Sequence, residues 1–367
     1  MDARVNAKKR ILVAVLDWGF GHATRCIPII RILLEQNCDV HLAGSGDSGA
    51  LLRSEFPELP FHELPPYNPR YPAKGSMVWR MALQLPRFIS VIRNEHDRVE
   101  TIVRDCAIDM VISDNRYGCW SRQAYSVFIT HQSNILMPRR FGWLAAFVRW
   151  WNGRLARRFH SCWIPDYPGE SNLSGALTNF GQTDFHPNQY YVGTLSRFRH
   201  KGNGSKSFDI DVLAICSGPE PQRSLFDGIL RKQLVNSTYR FILVRGVKDG
   251  QPDETTERGR IISFATTDKL EHLFAQSAIV IARSGYSTVM DLQALGKKAI
   301  FIPTPGQTEQ EHIAANLKEK GVAFSMAQSE FDLGVALHES RHFSGFAPMP
   351  ADDHFLYDVI IRHLAGV

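Results

Sequence analysis

Cysteine is scarce and scattered. The 367-residue chain has six (Cys26, Cys38, Cys106, Cys119, Cys162, Cys216), with no Cys-x-x-Cys pair and no regular spacing. This excludes a disulfide or zinc-ribbon framework; reduced thiols in a cytoplasmic protein are expected, with no metal. No apolar run approaches the ~20 residues of a membrane-spanning helix. Lys8, Lys9 and Arg10 precede the apolar stretch Ile11 to Leu16 as in a signal peptide, but Asp17 ends it too early for one. Low-complexity tracts and internal repeats beyond α/β units are missing. The 44% hydrophobic and 22% charged content is that of a soluble globular protein. Acidic residues are absent between His131 and Pro165, although the formal net charge is only +5. That segment carries Arg139, Arg140, Arg149, Arg154, Arg157 and Arg158 among Trp143, Phe147, Trp150, Trp151 and Phe159. It is a candidate contact for something anionic. No nucleic-acid-binding motif accompanies it, so that partner is not expected.

Short apolar runs alternate with longer helical patterns throughout, as in parallel α/β folds. Strands are expected near Ile11 to Leu16, Asp39 to Ala43, Met110 to Ser113, Ser126 to Thr130 and Cys162 to Ile164, with a long helix over about Ser76 to Arg104. A second series covers Ile210 to Cys216, Phe241 to Arg245, Ile261 to Phe264, Ile279 to Ala282, Ala299 to Pro303 and Val322 to Ser325. The length suits two domains. The expected organisation is an N-terminal domain over 1–196, a Gly/Lys/Ser-rich linker over 197–207, a second domain over 208–350, and a last segment, 351–367, whose helix crosses back to the first domain. Two Rossmann-like parallel sheets would face each other across a cleft, with ligands at the carboxyl ends of the strands.

The first strand leads into Asp17-Trp18-Gly19-Phe20-Gly21-His22-Ala23-Thr24-Arg25, and Ile29, Ile30, Leu33 and Leu34 continue at helical spacing. His22 thus stands at a helix N-terminus, where the dipole disfavours imidazolium and leaves a neutral ring able to take a proton. A hydroxyl nucleophile needs such a base; a capping histidine is the plainer reading. Gly19-Phe20-Gly21 lacks the third glycine of a dinucleotide fingerprint, which disfavours a dehydrogenase. Asp114 with Asn115, and His131 to Asn134, follow later strands and either line an acceptor side, with Gly19, Gly21 and Arg25, or cap helices.

In the second series, Ser217, Gly218 and Arg223 form a turn and helix start with a hydroxyl, amides and positive charge. Arg283-Ser284-Gly285-Tyr286-Ser287-Thr288 repeats the arrangement, and two such turns suit a diphosphate. Asp291 lies one turn on, placed to reach ribose hydroxyls or simply to favour the helix dipole. Thr304, Gly306, Gln310 and Glu311 bring mixed donors and acceptors suited to a sugar. The aromatic residues between Trp143 and Phe159 fit either an interfacial helix or a buried one; periodicity does not separate the two.

Together these residues resemble the GT-B glycosyltransferases of family 28. The segment Gly19 to Arg25 (Gly-Phe-Gly-His-Ala-Thr-Arg) and the blocks Ser217 to Arg223 and Arg283 to Thr288 are similar to a largely uncharacterised bacterial subgroup. The resemblance implies inverting, metal-independent transfer from a nucleotide-activated sugar to a carbohydrate or lipid-linked acceptor of the cell envelope. It implies acceptor binding in the first domain and donor binding in the second. His22 takes the position of the base, and Asp291 that of the ribose-contacting acid, which is Glu in the peptidoglycan enzyme. Gln310 and Glu311 take the place of two donor-contacting glutamines, so the second is changed. Enzymes of this kind often meet acceptors at a membrane, which gives residues 139–163 a possible role at its inner face. On the same architecture, a nucleotide-sugar hydrolase, an epimerase or a non-catalytic binding subunit are the alternatives.

Overall fold

A computed structural model describes residues 8–69, 77–135, 142–143, 145–178, 185–198, 208–247, 252–347 and 354–366. The described residues form two compact units. The first takes in the described residues of 1–70, 78–196 and 352–367, and the second those of 71–77 and 197–351.

The first unit has strands β1 (Arg10–Val15), β2 (Asp39–Gly44), β3 (Phe61–Glu63), β4 (Met110–Asp114), β5 (Tyr125–Ile129), β6 (Ser161–Ile164) and β7 (Gln189–Tyr191). They form a seven-stranded sheet in the order β3-β2-β1-β4-β5-β6-β7, parallel throughout. Its helices are α1 (Phe20–Glu35), α2 (Gly46–Glu55), α3 (Met77–Asp105), α4 (Ala145–Ala156) and, from the end of the chain, α10 (Phe355–Ala365). Ile11 through Val15 are fully buried. This is why the central strand reads as an unbroken apolar run: a parallel sheet covered on both faces leaves no polar side.

The second unit has β8 (Ile210–Ile215), β9 (Phe241–Val244), β10 (Glu254–Thr255), β11 (Gly259–Ile262), β12 (Ser277–Ala282), β13 (Ala299–Phe301) and β14 (Phe324–Ser325). Their order is β10-β11-β9-β8-β12-β13-β14; only the β10–β11 pair is antiparallel. Helices α5 (Gln222–Val235), α6 (Thr267–Gln276), α7 (Tyr286–Ala294), α8 (Thr308–Glu319) and α9 (Leu333–Glu339) connect them. Phe226, Leu230 and Leu234 of α5 join Val212, Ala214, Phe241 and Leu243 in its core.

Register places the loops that matter. Val15 pairs with Asp114, so the turn after β1 and the end of β4 are neighbours where the strand order reverses. In the second sheet Ala282 pairs with Ile215, setting the Ser217 turn beside the Ser284 turn at the corresponding reversal. In open α/β sheets such reversals open a crevice at the carboxyl ends of the strands.

Helix α4 divides its residues between two environments. Leu155, Ala156 and Phe159 just beyond the helix are buried. Trp143, Phe147, Trp150 and Trp151 are exposed, at 78, 57, 56 and 37%. Arg139 and Arg140 lie outside the described residues, as do residues 199–207 of the expected linker. Among the described residues no helix is long and apolar enough to cross a membrane.

Candidate active site

The turn after β1 closes at Gly19, which has φ 88°. There a side chain would be strained, and glycine is not. The Gly19 carbonyl accepts from Ser48 Oγ at 2.7 Å, which ties the turn to α2. Helix α1 starts at Phe20, so His22 sits in its first turn and Arg25 one turn later.

Asp114 joins them. Its Oδ2 lies 2.7 Å from His22 Nδ1, and its Oδ1 accepts from Arg25 Nε at 2.7 Å. Arg25 Nη2 approaches His22 Nδ1 at 2.8 Å, and Arg25 Nη1 reaches His131 Nδ1 at 3.0 Å. A guanidinium only donates. His131 Nδ1 therefore accepts, which puts that ring's proton on Nε2. At His22 both Asp114 Oδ2 and Arg25 Nη2 lie near Nδ1, but Arg25 Nη2 has a nearer partner in Asp114 Oδ1. Nδ1 therefore carries the proton toward the carboxylate, the Nη2 approach is not a hydrogen bond, and Nε2 keeps its lone pair. Asp114 and Arg25 are buried, while the His22 side chain keeps 14% of its surface.

The charge states follow. Burial pushes the His22 pKa below 6.5 and the Arg25 charge adds to this, outweighing the opposite pull of Asp114. For Asp114 burial acts upward, but Arg25 and then His22 more than reverse it, so the net shift is below 3.8. At neutral pH the set is a carboxylate, a guanidinium and a neutral imidazole aimed by the carboxylate, the form in which an imidazole can accept a proton. Arg25, expected on the acceptor side, is spent on Asp114 and His131; it positions the pair from beneath.

A second buried set went unmarked in the sequence. Arg116, fully buried, donates to Val15 O (2.7 Å), Glu95 Oε1 (2.5 Å) and Ser45 Oγ (2.8 Å). Glu95 also accepts from Tyr67 Oη at 3.1 Å and the Gly118 amide at 2.8 Å. One ion pair thus clamps the loops after β1, β2, β3 and β4. Its members come from sequence positions far apart and lie in no motif, so no local pattern could have marked them.

In the second unit Gly218 takes φ 96°, and a Cβ there or at Gly285 or Gly306 would meet nothing within 4 Å. The three turns therefore leave room for close backbone approach. Helix α7 starts at Tyr286 with Gly285 as its cap, so its first-turn amides at Tyr286, Ser287 and Thr288 point back along the axis. Arg223 donates to Gly246 O at 3.0 Å and pairs with Glu220 at 2.6 Å.

Arg283 corrects an expectation. Rather than assisting a diphosphate, it is 1% exposed and donates to Ile302 O, Pro303 O, Gln222 O and Gln328 Oε1. Its guanidinium also stacks 4.0 Å over the Phe226 ring. Burial lowers its pKa to about 10, so it is a cation holding strand ends together from inside. Ser284 is likewise turned inward, donating to Gln310 O at 2.8 Å. Gln310 accepts from the Thr304 amide at 2.9 Å and donates to Gln307 Oε1 at 2.6 Å, while Glu311 accepts from the Gly306 amide at 2.9 Å. These side chains shape the loop before α8. Asp291, on the second turn of α7, is 8% exposed.

Two parallel-sheet units, each with small-residue turns at the reversal of strand order, define a GT-B fold, and solved structures agree. The chain is similar to the glycotransferase of kitacinnamycin (TM-score 0.63, 14% identity, 98% of this chain and 96% of that one). It is similar also to the MurG of Acinetobacter baumannii (TM-score 0.57, 12% identity, 98% of this chain and 100% of that one). Residues 222–350 match the glycosyltransferase family 28 C-terminal domain. An uncharacterized glycosyltransferase of Methanosarcina acetivorans is 24% identical over 335 residues, 87% of this chain and 84% of its own length. A relative from Pasteurella multocida, 23% identical over 88% of this chain and 85% of its own, is named a UDP-N-acetylglucosamine--N-acetylmuramyl-(pentapeptide) pyrophosphoryl-undecaprenol N-acetylglucosamine transferase. The chain is a glycosyltransferase with a GT-B fold, and its residues 222–350 are similar to the family 28 C-terminal domain.

Proposed function

We propose that the enzyme is an inverting, metal-independent transferase that moves a sugar from a UDP-linked donor to a lipid-linked or other cell-envelope acceptor. The observation that carries this reading is the His22–Asp114 pair at 2.7 Å, buried over Arg25 with Nε2 of His22 left to act. The acceptor hydroxyl gives its proton to Nε2 as its oxygen bonds to the anomeric carbon. The bond to the diphosphate oxygen breaks on the opposite face, and the nucleoside diphosphate leaves. Amides at the Ser217–Gly218 turn and the start of α7, with Arg223, stabilise the departing charge. The relative's name supports UDP and an N-acetylglucosamine-like sugar. Glu311, where that family has glutamine, makes the sugar the first thing to test.

A lipid-linked acceptor suits the exposed rings of Trp143, Phe147, Trp150 and Trp151, with Arg154 on the same side of α4 by spacing. Aromatic side chains with flanking cations rest at a bilayer surface, here the inner face of the cell membrane.

A thermal-shift screen over nucleotide sugars tests the donor reading, because a ligand of the native state raises its stability. A UDP-sugar is expected to raise Tm, and His22→Ala to keep that shift while transfer falls by about 10²–10⁴-fold. No response to any nucleotide sugar would sink the reading. A His22→Ala protein with full transfer activity would remove the base.

A further inference from the structure

Away from the reversal of strand order, His41 on β2 and His62 on β3 stand on the same face of the first sheet. The register pairs Ala43 with His62, and His41 lies two residues before Ala43. His41 pairs with Leu12, well below the strand ends that carry His22 and Asp114. The two imidazoles are within 7° of parallel, with His41 Nδ1 3.0 Å from His62 Nε2. Cys106, immediately after α3, brings its thiol to them: Nδ1 or Nε2 of each ring and Cys106 Sγ all lie within 4.8 Å of one another. The other nitrogen of His41, Nε2, is 3.8 Å from Asp39 Oδ1.

We propose that His41, His62 and Cys106 form a binding site for a divalent metal of the zinc class, separate from the transfer chemistry. Two imidazoles and a thiolate are the borderline-soft donors that Zn²⁺ and Co²⁺ prefer, whereas Mg²⁺ and Ca²⁺ take oxygen. Metal bonds of about 2.0–2.3 Å place ligand atoms roughly 3.3–3.8 Å apart in a tetrahedron, so the 3.0 Å nitrogen pair has only to open slightly as the rings tilt and the thiol settles within that range. Water supplies the fourth ligand.

The protons balance. Asp39 favours the His41 proton on Nε2, leaving Nδ1 as acceptor, and the His62 Nε2–H then donates to it in the metal-free protein. Metal binding moves that proton to His62 Nδ1 and releases the Cys106 thiol proton to solvent, one proton per metal. The bound ion would tie the three-residue edge strand β3 and the end of α3 to β2, so its effect is on the stability of this unit.

The test uses full-length, untagged protein treated with chelator and titrated with Co²⁺. One equivalent is expected to give visible ligand-field bands and a near-ultraviolet thiolate-to-cobalt charge-transfer band. Cys106→Ser, checked for native circular dichroism, should abolish the charge-transfer band. His41→Ala and His62→Ala should each weaken binding by tenfold or more, and Asp39→Asn by up to about tenfold. Zn²⁺ should raise the Tm of the native protein and leave Cys106→Ser unchanged. The proposal is overturned by absence of the charge-transfer band, by its persistence in Cys106→Ser, or by its insensitivity to both histidine substitutions.

Discussion

His22 takes its chemistry from two neighbours that pull in opposite senses. Burial and the Arg25 charge hold its ring neutral below pH 6.5, and Asp114 opposes them. The proposed base loses its free lone pair when the ring is protonated, so kcat/KM is expected to fall as pH drops through a value below 6.5, read as the acid limb of a pH profile. Asp114→Asn removes the one influence that raises the ring's pKa. It should move that limb further into acid while lowering the plateau, because an amide no longer fixes the proton on Nδ1. The substitution also strands the Arg25 charge in the interior, which costs about 3–5 kcal/mol in denaturant unfolding. Stability follows the same sign. Both groups have folded pKa values depressed below 6.5 and 3.8 respectively, so each contributes stability at higher pH. The histidine contribution is lost as pH falls below 6.5 and the carboxylate contribution as pH falls below 3.8. That His22, Arg25, Asp114 and His131 lie near the carboxyl edge of the first sheet was legible in the sequence, because the ends of apolar parallel strands and the turns after them fall there. Their bonding to one another was not, since it depends on which strand lies beside which. Arg283 was misread for the same reason: its motif marks a helix start, but its side chain turns inward toward the carbonyls just after β13.

The turns that hold these side chains depend on close packing between elements. Gly118, in the loop after β4, gives its amide to Glu95 at 2.8 Å. A Cβ there would come within 2.3 Å of Ile92 O and 2.6 Å of Glu95 Oε2. Backbone of α3 cannot yield as a flexible side chain would, so Gly118→Ala should push helix and loop apart. It would also disturb the Arg116–Glu95 pair that clamps the loops after β1 to β4. The expected cost is on the order of 3 kcal/mol, measured as a lower denaturant midpoint, together with reduced transfer because the His22 turn rests on the same clamp. An unchanged midpoint would mean that α3 is not held by this contact. Central strands were legible to within a residue or two, since β1, β4, β8 and β12 are buried apolar runs. The edge strands β3, β7 and β10 were not. At two or three residues, partly exposed and carrying His62, Glu63, Gln189 or Glu254, they show neither an apolar run nor a clear alternation.

The chain builds most of its first unit, forms the second, and returns to complete the first. The returning helix α10 buries Leu356, Val359, Ile360 and His363. His363 Nδ1 lies 2.7 Å from Val359 O within its own helix, and its ring meets Tyr125, Trp163 and Tyr190 edge-on, at 5.5, 5.4 and 4.8 Å between centroids. Those three residues belong to β5, β6 and β7, so one side chain from the last helix spans three strands of a sheet formed more than 170 residues earlier. Removing residues 352–367 would expose those strand residues along with the buried aliphatic contacts. At about 1.5–3 kcal/mol for each large apolar side chain, the loss is on the order of 5 kcal/mol, a large part of the stability of an ordinary domain. The truncated protein is expected to show early amide exchange in β5, β6 and β7, while β8, β9 and β12 keep their protection. Donor-induced stabilisation of the second unit should persist when transfer is lost. Equal loss of protection in both sheets would show instead that the two units unfold as one.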